Sequence, residues 1–196
     1  IKVAKTAKNK TVLNRENYGF QTLKTPFDCH IPRNFTKGYT IAKHNDSLTF
    51  VPVNASPATA KVEGNTATYQ DVWNDTDVKL EVQADGLKET LILKSDTAPS
   101  SFRFEVEGAE ITDDFKAGKL KLERAYLIDN EGYERKVEMN VVEEENKTLL
   151  ELCPDLEDLT FPVMIDPTVK LTNRSTWTVP EGIGESTIFD VQGGRG

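Results

Sequence analysis

Cysteine is nearly missing from this chain of 196 residues, which holds two, Cys29 and Cys153. Two are too few for a disulfide scaffold, and they make no C-x-x-C pair for zinc or redox work. One bridge between them would close most of the chain and add about 4 to 5 kcal/mol in the loop-entropy model, less if strained. Two separate buried thiols are the competing reading, because unpaired cysteine packs as a small core hydrophobe. Long apolar runs are missing as well. None approaches the roughly 18 residues of a membrane-spanning helix, so no membrane insertion is expected within this segment. Ile1 opens on no signal-peptide pattern, so an exported protein would carry its signal and any anchor outside these residues.

Positive charge is the third shortage. Lys and Arg number 24 against 32 Asp and Glu, a net charge of -8 with a pI near 4.9, and the cations are scattered singly. Nucleic acid and anionic membrane surfaces both demand a clustered cationic footprint, so neither is an expected partner. Catalytic signatures are equally scarce. His30 and His44 lie beside no Gly-x-Ser-x-Gly or Cys-Gly motif. His30 follows Cys29, but adjacent residues on a strand point to opposite faces and would not meet. With so many carboxylates a pair within reach of one another is no evidence of hydrolysis, and Glu143-Glu144-Glu145 reads as a solvated turn. No catalytic residue is expected.

Abundance lies elsewhere. Seven Asn-x-Ser/Thr triplets occur, at Asn9, Asn34, Asn45, Asn54, Asn74, Asn146 and Asn173, none with a central proline. The chain has 12 Asn and 28 Ser or Thr, for which random placement gives about two such triplets. N-glycan acceptors are solvated surface sites of exported proteins, which points to a cell surface or the extracellular space. The plainer alternative is that a Thr-rich β protein collects these triplets in its turns.

The dominant hydrophobic period is two. Val78, Leu80 and Val82 alternate with polar residues, Ala84-Asp85-Gly86 is expected to turn the chain with a positive-φ bulge, and Leu87, Leu91 and Leu93 resume on the return strand. The same alternation marks Phe102 to Val106, Leu120 to Ile128 and Val137 to Val141, with Asp129-Asn130-Glu131-Gly132 as a second hairpin turn. Tyr39 to Ile41, Leu48 to Val53 and Thr59 to Tyr69 read as further short strands. This spacing predicts an all-β protein, an antiparallel β-sandwich or partly open barrel with minimal helix. The best helical candidate is one turn in Asp155-Leu156-Glu157-Asp158-Leu159, after Pro154. Residues 1–168 are read as one module, with residues 1–20 a basic arm or lead-in strand. A boundary just after Pro167 leaves 169–196 as a linker or the first strands of a glycine-rich β module, and Asp166 as strand punctuation before a proline.

Calcium is the candidate cofactor, through Asp75 and Asp77 in one loop and Asp129 and Glu131 in another. Neither has full Asp-x-Asp-x-Asp-Gly spacing, and Asp, Asn and Gly are also what turns use. Tyr69 and Trp73 are a candidate sugar-stacking platform, against the alternative that an aromatic before a strand plugs the end of a sandwich.

Two stretches carry a resemblance. Thr68-Tyr69-Gln70-Asp71-Val72-Trp73-Asn74-Asp75-Thr76-Asp77-Val78, continued by Asp85-Gly86-Leu87-Lys88-Glu89 and Leu91-Ile92-Leu93, resembles a block recurring in large secreted wall-associated and RHS/YD-repeat proteins. The same block is found in surface proteins, including methanogen ones, that carry DNRLRE (disaggregatase-related) modules. Thr160-Phe161-Pro162-Val163-Met164-Ile165-Asp166-Pro167-Thr168 resembles the sequence that closes that region. Together they bracket residues 66 to 168, and Thr176-Trp177-Thr178-Val179-Pro180-Glu181-Gly182 is similar to the start of glycine-rich β modules in exported adhesin-like proteins. The resemblance implies an all-β, noncatalytic module of a large surface polypeptide and supplies no catalytic residues. The expected function is therefore a structural or adhesive unit of a secreted or cell-surface glycoprotein, partnered by other copies or domains of that protein. The alternatives are polysaccharide binding through Trp73 or Trp177, an accessory domain of a polysaccharide-degrading or peptidase chain, and self-assembly in which the N-terminal arm adds a strand to a neighbour's open edge.

Overall fold

The computed structural model describes residues 19–22 and 25–172, and the backbone of 188–190. The period-two alternation becomes strand: among the described residues the elements are strands, with one short 3-10 turn and no α-helix. They form two antiparallel sheets around a shared apolar core, a β-sandwich rather than a closed barrel.

The first sheet runs, side by side, β14 (Glu138–Glu144), β15 (Lys147–Cys153), β9 (Phe102–Gly108), β4 (Asp46–Pro52), β3 (Tyr39–Lys43), β2 (Asp28–Pro32), β1 (Gly19–Thr22) and β18 (Ile188–Asp190). The second sheet is built on β8 (Gly86–Leu93), flanked on one side by β7 (Thr76–Gln83), β6 (Thr66–Trp73) and β5 (Lys61–Glu63). On its other side β8 pairs with two strands in tandem, β16 (Val163–Asp166) and β17 (Thr168–Leu171). Outside β16 lie β12 (Tyr126–Ile128) and β13 (Glu134–Lys136), and outside β17 lie β11 (Leu120–Leu122) and β10 (Lys116–Ala117). Pro167 causes the split: it has no N–H to give the ladder, yet its carbonyl still accepts from Glu89 N–H at 3.1 Å. Inward rows from the two sheets meet in the core, Ile41, Leu48, Phe50, Phe102 and Phe104 against Tyr69, Leu80, Leu91 and Leu93, all fully buried.

Several expectations are corrected. Ala84 and Asp85 alone make the β7–β8 turn, with Gln83 opposite Gly86, and none of the three residues Ala84-Asp85-Gly86 has a positive φ. Gly86 is needed for another reason: a Cβ there would lie 2.0 Å from Val169 O of β17. The span Thr59 to Tyr69 breaks at Gly64 and Asn65 into β5 and β6, and Leu120 to Ile128 breaks into β11 and β12. No helix forms at Asp155 to Leu159, where Asp155 Oδ1 accepts from Glu157 N–H in a non-helical turn with Asp158 at φ 59°. The single 3-10 turn is Phe35–Lys37, capped by Asn34. The chain also runs through the boundary expected after Pro167, since β17 pairs with both β8 and β11 and buries Val169. Residues 188–190 then pair with β1. Of the N-terminal arm, 1–18 lie outside the described residues, and Gly19 and Phe20 belong to β1.

The cysteine bridge is not made; both thiols are free. Cys29 on β2 and Cys153 on β15 are separated in the sheet by β3, β4 and β9. Four strand spacings amount to about 19 Å, far beyond the roughly 7 Å Cα separation a disulfide spans. Cys29 is instead a core residue, its thiol pushed up to about 12 by burial and then by the Asp28 charge.

Candidate functional site

Five of the seven Asn-x-Ser/Thr triplets fall on described residues, and four of those asparagines are exposed at tight turns. Asn45 sits in the β3–β4 hairpin beside His44, whose φ is 57°, and Asn146 in the β14–β15 hairpin at φ 64°. Asn54 follows β4 at φ 55°, and Asn74 opens the β6–β7 turn beside Asp75 at φ 46°. Asn tolerates left-handed backbone at small cost, so conformation accounts for Asn54 and Asn146, while Asn74 is held by its Nδ2 donating to Thr97 O at 2.8 Å. Two of the hydroxyls that follow also have structural roles, Thr76 Oγ1 donating to Asn74 O at 2.9 Å and Thr148 Oγ1 to Glu143 Oε1 at 2.6 Å. The strand registers place Asn45 and Asn146 at one end of the sandwich and Asn54 and Asn74 at the other. Asn34 differs: half-buried, it accepts through Oδ1 from Thr36 N–H at 3.2 Å and Ala58 N–H at 3.3 Å. Asn9, Asn173 and Trp177 lie outside the described residues.

The aromatic platform is overturned. Tyr69 is 0% exposed and Trp73 7% exposed. Tyr69 donates its hydroxyl to Pro32 O at 2.5 Å, and Trp73 donates Nε1–H to Val53 O at 3.0 Å. Trp73 packs edge-on against Phe102 and Phe104, ring centroids 5.1 and 5.8 Å away, so it closes the end of the sandwich and shows only a sliver of its surface to the groove outside. Outside it lies an open groove of about 370 Å³ lined by Asn54, Asn74, Ser56 and Arg103. Arg103 is held by Glu144 and Glu151, each at 2.8 Å.

The loop carboxylates are engaged by hydrogen bonds within their loops and to neighbouring segments. Asp75 Oδ2 accepts from Ser95 Oγ at 2.5 Å and Thr97 Oγ1 at 2.6 Å, which holds its carboxyl below the usual range. Asp77 Oδ1 accepts from Asp71 N–H at 2.8 Å and Lys94 Nζ at 3.0 Å. Asp129 takes Glu131 and Tyr133 N–H on Oδ1 and Thr160 N–H on Oδ2, and these backbone donors lower its pKa. Glu131 accepts from Thr160 Oγ1 at 3.3 Å. Among the described residues no three His, Cys, Asp or Glu side chains are grouped to hold a metal. Asp166 pairs with Lys88 at 2.7 Å and takes Thr168 Oγ1 at 2.9 Å, which ties the strand break in place. His30 is half-buried with its pKa lowered by desolvation, and no catalytic pair with Cys29 forms across the strand.

One residue escaped the sequence reading. Glu89 takes an inward position on β8, in the row Leu87, Glu89, Leu91, Leu93, and is 4% exposed. Oε2 accepts from Tyr39 Oη on β3 of the opposite sheet at 2.9 Å, while Oε1 has no hydrogen-bond partner. Burial, the largest cause, raises its pKa to about 8 against the lowering pull of the Tyr39 bond; the nearby Asp166 charge adds to the rise. The signal was legible, because any residue midway between two inward leucines at period two must itself point inward.

No helix among the described residues is long and apolar enough to cross a membrane. Comparison of the chain with protein-family models, curated proteins and solved structures finds no match in any of the three.

Proposed function

We propose that this chain is a noncatalytic structural or adhesive β module of a secreted or cell-surface glycoprotein, related to the wall-associated and DNRLRE-type surface modules that its two motifs resemble. The observation that supports this most is the disposition of Asn45, Asn54, Asn74 and Asn146, exposed on turns at both ends of the sandwich, as solvated glycan acceptors are. The interior supports it too, since the aromatics and carboxylates that would serve a binding platform or an active site are consumed in packing and loop bonds. On this reading the module's partners are adjoining domains or copies of the same surface polypeptide, and its location is extracellular. Peptide mass spectrometry of protein from its native source tests the reading. Glycopeptides are expected at the four turn asparagines; a sample with all four unmodified would overturn it.

A further inference from the structure

We infer that Glu89 and Tyr39 form a clasp between the two sheets that works with Glu89 protonated, and that ionisation of Glu89 weakens the fold by leaving a charge in the core that the one Tyr39 bond does not compensate. Four observations on geometry carry this. Glu89 is the one carboxylate among the fully inward positions of β8, and its bond to Tyr39 crosses from one sheet to the other. Tyr39 is itself 3% exposed and stacked on Phe50 at 5.2 Å, so the donor is fixed in place. Glu89, its Oε1 unpartnered, lines a small space of about 10 Å³ shared mainly with apolar side chains, Phe50, Leu87, Leu122 and Leu150, and with Glu123 and Thr168. Among the described residues no cation acts on it: Lys88, the adjacent ammonium, lies on the outer face of β8 and is bound to Asp166.

Of the groups around the carboxyl only Tyr39 favours its ionisation, and burial outweighs that bond. Tyr39 on β3 offers one neutral donor, with the Cys29 thiol of β2 behind it. Asp166 on β16 and Glu123 between β11 and β12 contribute acidic neighbours, and Thr168 on β17 gives its hydroxyl to Asp166 rather than to Glu89. As a carboxylic acid, Glu89 accepts from Tyr39 on Oε2 and carries its hydrogen on Oε1. As a carboxylate it would place a charge against apolar walls with a single hydrogen bond, the arrangement buried charges least tolerate. The sign of the linkage follows from the folded pKa of about 8 against an ordinary 4.5. The contribution of the clasp is fully present below the ordinary value and is lost as pH rises through about 8.

The test compares wild type with Glu89→Gln, an isosteric side chain that never ionises, by urea unfolding across pH 4 to 10. The ratio of their folding constants, variant over wild type, is expected to rise about tenfold per pH unit between pH 4.5 and 8 and then to level. A ratio constant with pH overturns the clasp. Should Glu89→Gln fail to fold, carbon-13 NMR of wild type labelled at glutamate carboxyls decides: one resonance titrating near pH 8 supports the proposal. All of them titrating in the ordinary carboxylate range contradicts it.

Discussion

Trp73 and Tyr69 show how the same residues change meaning once their neighbours are known. Both lie on β6, Tyr69 in its middle and Trp73 at its end, in a segment dense with polar residues where exposure was a fair expectation. Instead each turns its ring into the core and gives its one polar atom to a carbonyl, Tyr69 to Pro32 and Trp73 to Val53. A buried aromatic is satisfied when its N–H or O–H finds an acceptor, and these two do. Trp73→Ala is therefore expected to cost about 3 to 5 kcal/mol in chemical denaturation. A loss near zero would mean that the indole contributes little packing and would reopen the surface reading. At this scale the sequence showed the residue types correctly and their direction poorly, because direction depends on the Tyr69-to-Trp73 register shift in the β6–β7 ladder. An irregularity of that kind moves a side chain from one face to the other.

Gly86 illustrates the scale of elements. Its place in Ala84-Asp85-Gly86 suggested turn conformation, whereas its backbone is ordinary strand and its missing side chain admits the carbonyl of Val169. Gly86→Ala is expected to destabilise the fold by about 1 to 3 kcal/mol, as overpacking does. Gly132→Ala, where a Cβ meets nothing within 4 Å, serves as the comparison, its strain arising only from a φ of 87°. Equal losses in thermal unfolding would show that β17 yields easily. Strand identity was legible wherever one face is buried, as in β7, β8, β9 and β4, since alternation then shows directly in the sequence. Legibility failed where the cause was distant: the split of β16 from β17 at Pro167, and the burial of β17, depend on β8 and β11 arriving from elsewhere in the chain. The candidate site followed the same rule. The turn asparagines were legible because turns are local, and the unpaired cysteines were not, because their separation is set by the order of strands in the sheet.

The whole molecule is acidic, with a net charge of -8. Its edges are consistent with a protein kept from pairing at random: β14 carries Glu138, Glu143 and Glu144, and β13 carries Glu134, Arg135 and Lys136. Charge on an edge strand discourages unplanned β addition. With asparagines of Asn-x-Ser/Thr triplets exposed at both ends and both of these edges charged, the described surface fits the proposed module, a unit that sugar and charge would hold apart from its neighbours. The account rests on that unit being displayed outside the cell. Antibody raised against the folded domain and applied to intact, unpermeabilised source cells tests this most directly. Labelling of intact cells, lost after mild surface proteolysis, is the predicted result; labelling that appears only after permeabilisation would contradict it.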